Sequence, residues 1–210
     1  MYLATVIHYA SFFSVLLPLT AAITTYKSLT GTLRILSVFV FFTALIEISS
    51  MILSLQLINN MFLFHLFTLI EFAFLMAFFG HISGNSKARI IALITAIAFI
   101  GYALTEASIH QSFDHFNSQQ RSVEGIIILL CCINYFITLI RNDRIEMANP
   151  LLWLVSGLFI YFSGTLFLFA YADKYLISSE HNYWTIHSIL NIFLNLTFAI
   201  SLWKGRQVSI

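Results

Sequence analysis

The chain reads as an all-α membrane protein: a single domain over residues 1–210 built as a bundle of seven transmembrane helices. Three observations predict this. Hydrophobic residues make up 60% of the chain and charged residues 9%, with a mean hydropathy of +0.90. The apolar residues gather into seven stretches, each near the ~20 residues a helix needs to cross a ~30 Å hydrocarbon core. The charges fall almost entirely between those stretches. A water-soluble domain of this length has no interior large enough to hide seven such segments.

The first span, Leu3–Tyr26, carries His8 and Ser11 in its first half and Pro18 in its second. Pro18 offers no N–H and should kink the helix or open its backbone. No basic segment and no small-residue cleavage site accompany this span, so it is expected to be retained and not removed as a signal peptide. The second span, Leu33–Leu57, holds Thr43, Glu47, Ser50 and Ser54 at spacings of four, three and four, which is one helical face. The third, Met61–Ile82, holds His65, Thr68 and Glu71. His65 and Glu71 stand about 120° apart around that helix. The fourth, Ile90–Ala107, is followed by the longest gap, Ser108–Arg121, which is polar with two aromatics and is expected to cap one face of the bundle.

The fifth span, Ser122–Ile140, opens near Glu124 and carries Cys131, Tyr135 and Thr138 on one face. Cys131 and Cys132 read as small buried hydrophobes. The sixth, Leu151–Tyr171, holds Tyr161 and Ser163. Its small pairs Ser156-Gly157 and Ser163-Gly164 recur on one face and predict close helix approach. The seventh, Tyr183–Trp203, carries His187, Asn191 and Asn195 one turn apart, with Trp184 and Trp203 as interfacial anchors. Asn195-Leu196-Thr197 matches a glycosylation acceptor, but a site inside a span is not a surface loop.

Asn60 to His65 opens the third span and Asn182 to His187 opens the seventh, with the same Asn-to-His spacing. That similarity suggests a weak three-plus-one-three internal repeat with the fourth span as linker.

The basic residues set an orientation. With alternating spans, Lys27, Arg34, Lys87, Arg89, Arg141, Arg144, Lys204 and Arg206 share one side, and only Arg121 and Lys174 fall on the other. The positive-inside rule then places the N-terminus outside and the C-terminus in the cytoplasm. A net charge of +1 gives no footprint for nucleic acid.

Ionisable side chains at membrane depth are costly and point to function by default. The candidate ligand-binding residues are Glu47, His65, Thr68, Glu71, Glu124, Tyr161, His187 and Asn191, expected to border a polar cavity that opens to the outside. His65, Glu71, His187 and Asn191 should approach one another, with Glu47 close by. Ser11, Ser50, Ser54, Thr138 and Asn195 read as interhelical hydrogen-bonding groups. No metal is favoured; a divalent ion, if one bound, would take His65, His187 and Glu71 and leave an open position.

Known seven-helix chemistries can be tested on these residues. A retinal Schiff base needs a lysine inside the last span, and Lys27, Lys87, Lys174 and Lys204 all sit at span ends, so no retinal is expected. Zinc-dependent membrane hydrolases of the ceramidase and adiponectin-receptor type carry HxxxH in the last helix. Here the second histidine position is Asn191, a poor zinc ligand, and no Asp lies in any span. The proline-glutamine signature of three-plus-one-three sugar transporters is absent.

The run Asn149-Pro150-Leu-Leu-Trp153 through Gly157 and Tyr161-Phe162-Ser163-Gly164 resembles a family of bacterial seven-helix membrane proteins. Asn60 to Glu71, Phe116-Asn117-Ser118 with Arg121 and Glu124, and Trp184 to Asn191 share the resemblance, which covers most of the chain. It implies a multi-pass protein of a bacterial inner membrane and brings no established activity.

The expectation is therefore a non-enzymatic, membrane-embedded ligand-binding or sensory module. Its partners would be the lipid bilayer, a small ligand or ion, and a further protein if it signals. The lack of a nucleophile–base pair or a complete metal set places catalysis behind binding. The alternatives are a small-solute or ion transporter and an intramembrane metal-dependent lipid hydrolase.

Overall fold

The computed structural model describes residues 2–29, 31–109, 116–143, 145–170 and 181–208, with backbone alone for residues 2, 181–183, 207 and 208. Among these residues the structure is helical and contains no strand. The helices are α1 (Tyr2–Ser14), α2 (Leu16–Thr25), α3 (Gly31–Leu55), α4 (Met61–Ile82), α5 (Ser86–Ile109), α6 (Ser118–Arg141), α7 (Pro150–Ala170) and α8 (His181–Val208). Counting α1 and α2 as one, seven helices are long and apolar enough to cross a membrane. The chain is a multi-pass membrane protein.

The first span breaks where Pro18 predicts. Pro18 cannot donate to the Ser14 carbonyl, and the helix is interrupted at Val15 between α1 and α2. Val15 keeps right-handed dihedrals (φ −60°, ψ −24°), and Leu19 N–H still donates to its carbonyl at 3.1 Å. The break is thus a local loss of ladder, not a reversal. At the end of α3, Leu57 takes a left-handed conformation (φ 57°). Ile58 N–H donates to Leu53 O at 3.0 Å and Leu57 N–H to Ser54 O at 3.1 Å, which is a Schellman closure with leucine where glycine is usual.

The bundle closes as a ring. α7 and α8 pack along their length, α8 also packs on α1 and α2, α3 bridges α2 and α4, and α6 links α4 to α7. The small residues of α7 allow its approach to α8: a Cβ built on Gly157 would collide with Thr197, and one on Gly164 with Leu190. α5 stands outside this ring against α4, through Phe72 on Phe99 (ring centroids 4.0 Å apart) and Gly80 on Arg89 and Ala92.

The half of the bundle nearer the C-terminus is filled by apolar side chains. Leu36, Val40, Leu75, Met76, Leu158 and Leu202 are all fully or almost fully buried there. A layer of rings covers this packing: Phe39 lies 6.4 Å from Phe67, 5.6 Å from Phe74 and 6.2 Å from Phe198. The half nearer the N-terminus is hollow.

Candidate ligand-binding cavity

A cavity of about 500 Å³ occupies that half, within the range usual for small-molecule sites. α1, α3, α4, α6, α7 and α8 all contribute to its wall, and α5 contributes nothing. Phe39, Phe67 and Phe198 form its floor. At the opposite end Phe116 packs on Phe64, Phe169 and Trp184, with ring centroids 6.3, 5.5 and 5.6 Å apart.

One polar wall is built around Arg121. The sequence reading treats this residue as the last of an external gap. The structure corrects that: α6 begins at Ser118, one turn earlier than the hydropathy pattern suggests, and Arg121 is 6% exposed. Its guanidinium bonds to Glu71 of α4, to Glu124 of α6 at 2.8 Å and, through the other terminal nitrogen, to the Tyr161 hydroxyl of α7 at 3.1 Å. Tyr161 in turn meets Nε2 of His187 on α8 at 3.2 Å. With Arg121 donating to it, the phenol is free to donate to an Nδ1-protonated imidazole. Four helices are thereby joined through one hydrogen-bonded chain. The guanidinium also lies over the rings of Phe169 and Phe67, 5.0 and 5.8 Å from their centroids.

Asn117 supports this wall. It precedes α6 but does not cap it with its side chain. Its amide instead donates to Thr68 Oγ1 at 2.7 Å and Phe64 O at 3.3 Å, tying the start of α6 to α4. Gln120 makes the matching tie to α5 by donating to Ala103 O at 2.9 Å.

The second polar wall is the α3 stripe. Thr43, Glu47, Ser50 and Ser54 all line the cavity. Asn60 closes its upper end by donating to Ser50 Oγ at 2.7 Å. Across the cavity the α8 stripe docks on α1: Asn191 donates to Ser11 at 3.0 Å, Asn195 to Ser14 at 2.8 Å, and Ser188 bonds to His8 at 2.7 Å. Asn191 also lies against the Glu47 carboxyl. Glu47 Oε2 is nevertheless buried without a hydrogen-bond partner, as is Glu124 Oε1.

Of the residues singled out from sequence, Glu47, Thr68, Glu71, Tyr161, His187 and Asn191 line this one cavity. Glu124 does not; it is fully buried behind Arg121. His65 is buried but lies off the lining. The α4 residues that do line it, Leu63, Phe64, Phe67, Thr68 and Glu71, cluster on one face, and at ~100° per residue His65 points more than ~90° away from the middle of that face. Among the described residues, no three His, Cys, Asp or Glu side chains converge to hold a metal ion. Asn182 and Lys174 have no described side chains.

Sequence reasoning missed Arg121, Asn117 and His8 as wall residues. The signal for the first was present: Arg121 and Glu124 stand three apart, one turn of a common helix. No protein-family model, no curated protein and no solved structure matches this chain.

Proposed function

We propose that this protein is a membrane-embedded binding module that takes one small amphipathic molecule into the cavity between α3, α4, α7 and α8. The observation that carries the reading is the cavity itself: about 500 Å³ of space inside an otherwise close-packed bundle, with carboxyl, guanidinium, phenol, imidazole and amide groups on its wall. Polar groups at such depth cost stability, so their convergence on one space favours a ligand over a purely structural role. The apolar plug beneath Phe39 supports binding over passage, because a transporter of the alternating-access kind needs a second polar vestibule on the far side.

On the positive-inside rule the cavity half faces outward and the plug faces the cytoplasm. In that orientation the module samples the external medium, as a sensor or receptor does, and a bacterial inner membrane is the compartment that suits it. The test is a thermal-shift screen of the purified protein in detergent against small amphiphiles, repeated on Ser50→Trp, which puts an indole into the cavity. At least one compound should stabilise the wild type and lose its effect on the variant. A screen in which every stabilising compound acts equally on both proteins would remove the cavity as the site.

A further inference from the structure

We infer that the ligand carries an ammonium group on an apolar body, and that Glu47 is its anchor. This rests on the cavity being a binding site, and adds the class of molecule it takes. Three observations point there.

The first is the carboxyl. Glu47 lines the cavity, and its Oε2 is buried with no hydrogen-bond partner. Asn191 lies beside it, and no basic group pairs with it among the described residues. A buried acceptor left unbonded on a residue of the cavity wall, at the depth of the hydrocarbon, is a place for a donor that the protein does not supply. An ammonium bound there forms a neutral pair with the carboxylate, so the site holds no isolated charge inside the membrane.

The second is the state of the positive charge. Arg121 is the one basic Lys or Arg side chain on the cavity wall among the described residues, and Glu71 and Glu124 already share it. An anionic ligand would have to compete with two buried carboxylates for a guanidinium that is also bonded to Tyr161. With three carboxyls and one guanidinium in and behind the wall, the electrostatic balance favours a cation.

The third is the wall between the polar groups. Phe39, Phe67 and Phe198 below, and Phe64, Phe116 and Trp184 above, present ring faces and edges to the cavity. Aromatic walls accept both the apolar body of an amine and its charged head, the latter through attraction to the ring quadrupole.

The experiment is isothermal calorimetry on the detergent-solubilised protein with three probes of one shape: 2-phenylethylamine, 2-phenylethanol and phenylacetate, each corrected against empty micelles. The amine should bind at least about tenfold more tightly than the alcohol, and the anion more weakly than either. Glu47→Gln, which keeps the shape of the side chain, should weaken the amine by about tenfold or more and leave the alcohol unchanged; alcohol binding also reports that the variant is folded. Should that variant not fold, the order of the three probes on the wild type still decides. An anion bound as tightly as the amine, or an amine indifferent to Glu47→Gln, overturns the assignment while leaving the cavity as a binding site. No heat from any of the three overturns the cavity reading as well. Ammonium groups also occur on lipid headgroups. Displacement of the amine by a short-chain phosphatidylethanolamine supports the proposal with a lipid as source, and failure to displace supports it with a soluble amine.

Discussion

Arg121 is held by side chains from three helices, so its removal should be felt across the bundle. Arg121→Met leaves Glu71 and Glu124 buried together without a cation. Breaking a buried pair in this way typically costs about 3–5 kcal/mol. Arg121→Lys keeps the charge but lacks the planar fork that serves Glu71 and Glu124 from one terminal nitrogen and Tyr161 from the other, and should recover only part of the loss. Adding Glu71→Gln to Arg121→Met removes one of the stranded carboxyls and should restore part of the stability. Thermal unfolding followed by size exclusion reads all three; an Arg121→Met protein with the wild-type midpoint would show that the cluster adds nothing. Glu47 differs because it has no cation to lose. Glu47→Gln should leave folding nearly intact, and Glu47→Leu, which removes one hydrogen bond of Asn191 and leaves the one to Ser11, should cost about 0.5–1.5 kcal/mol more.

At the scale of the helices, contact between α7 and α8 depends on a missing side chain. Thr197 Oγ1 is pinned by donating to Leu194 O at 2.8 Å, so it cannot rotate freely away from a group placed on Gly157. Gly157→Ala should push the two helices apart and lower stability by about 1–3 kcal/mol, as overpacking does elsewhere. Thr197→Ala in the same chain should relieve only part of this, because the Cβ at 197 already lies 2.7 Å from the position a Cβ on residue 157 would take. Full rescue would place the strain elsewhere. The Ser156-Gly157 and Ser163-Gly164 pairs were legible as packing because small residues at helical spacing have one common use. The α3 and α8 polar stripes were legible for the same reason of spacing, and each lines the cavity along its length. Two things were not legible in the hydropathy pattern. The start of α6 reads Ser-Gln-Gln-Arg, which any hydropathy window assigns to solvent, and only its buried partners Glu71, Tyr161 and Ala103 on other helices make it part of a span. The rotation of α4 was the second. His65 and His187 follow the same motif, yet one lies off the cavity and the other on it. A motif fixes distance from the start of a helix, whereas its neighbours fix which face turns inward.

For the whole molecule, the direction in which the hollow half faces has the widest consequence. With Arg121 buried in its carboxylate cluster, the basic residues left to decide orientation are more one-sided than the sequence suggested. By alternation of the spans along the sequence, eight of the ten are expected on the side of the apolar plug, and Lys174 alone remains opposite. That asymmetry predicts the plug at the cytoplasmic face and the cavity toward the outside. Two single-cysteine reporters test it. Leu57, 95% exposed in the turn between α3 and α4, marks the cavity side, and Asn142, exposed after the end of α6, marks the plug side. The native Cys131 and Cys132 lie mid-span, out of reach of a charged maleimide. Leu57→Cys should label in intact cells with such a reagent, and Asn142→Cys only after the membrane is permeabilised. The reverse pattern would turn the cavity toward the cytoplasm. Under the proposed binding role, Glu47 would then face solutes of the cell interior in place of external ones.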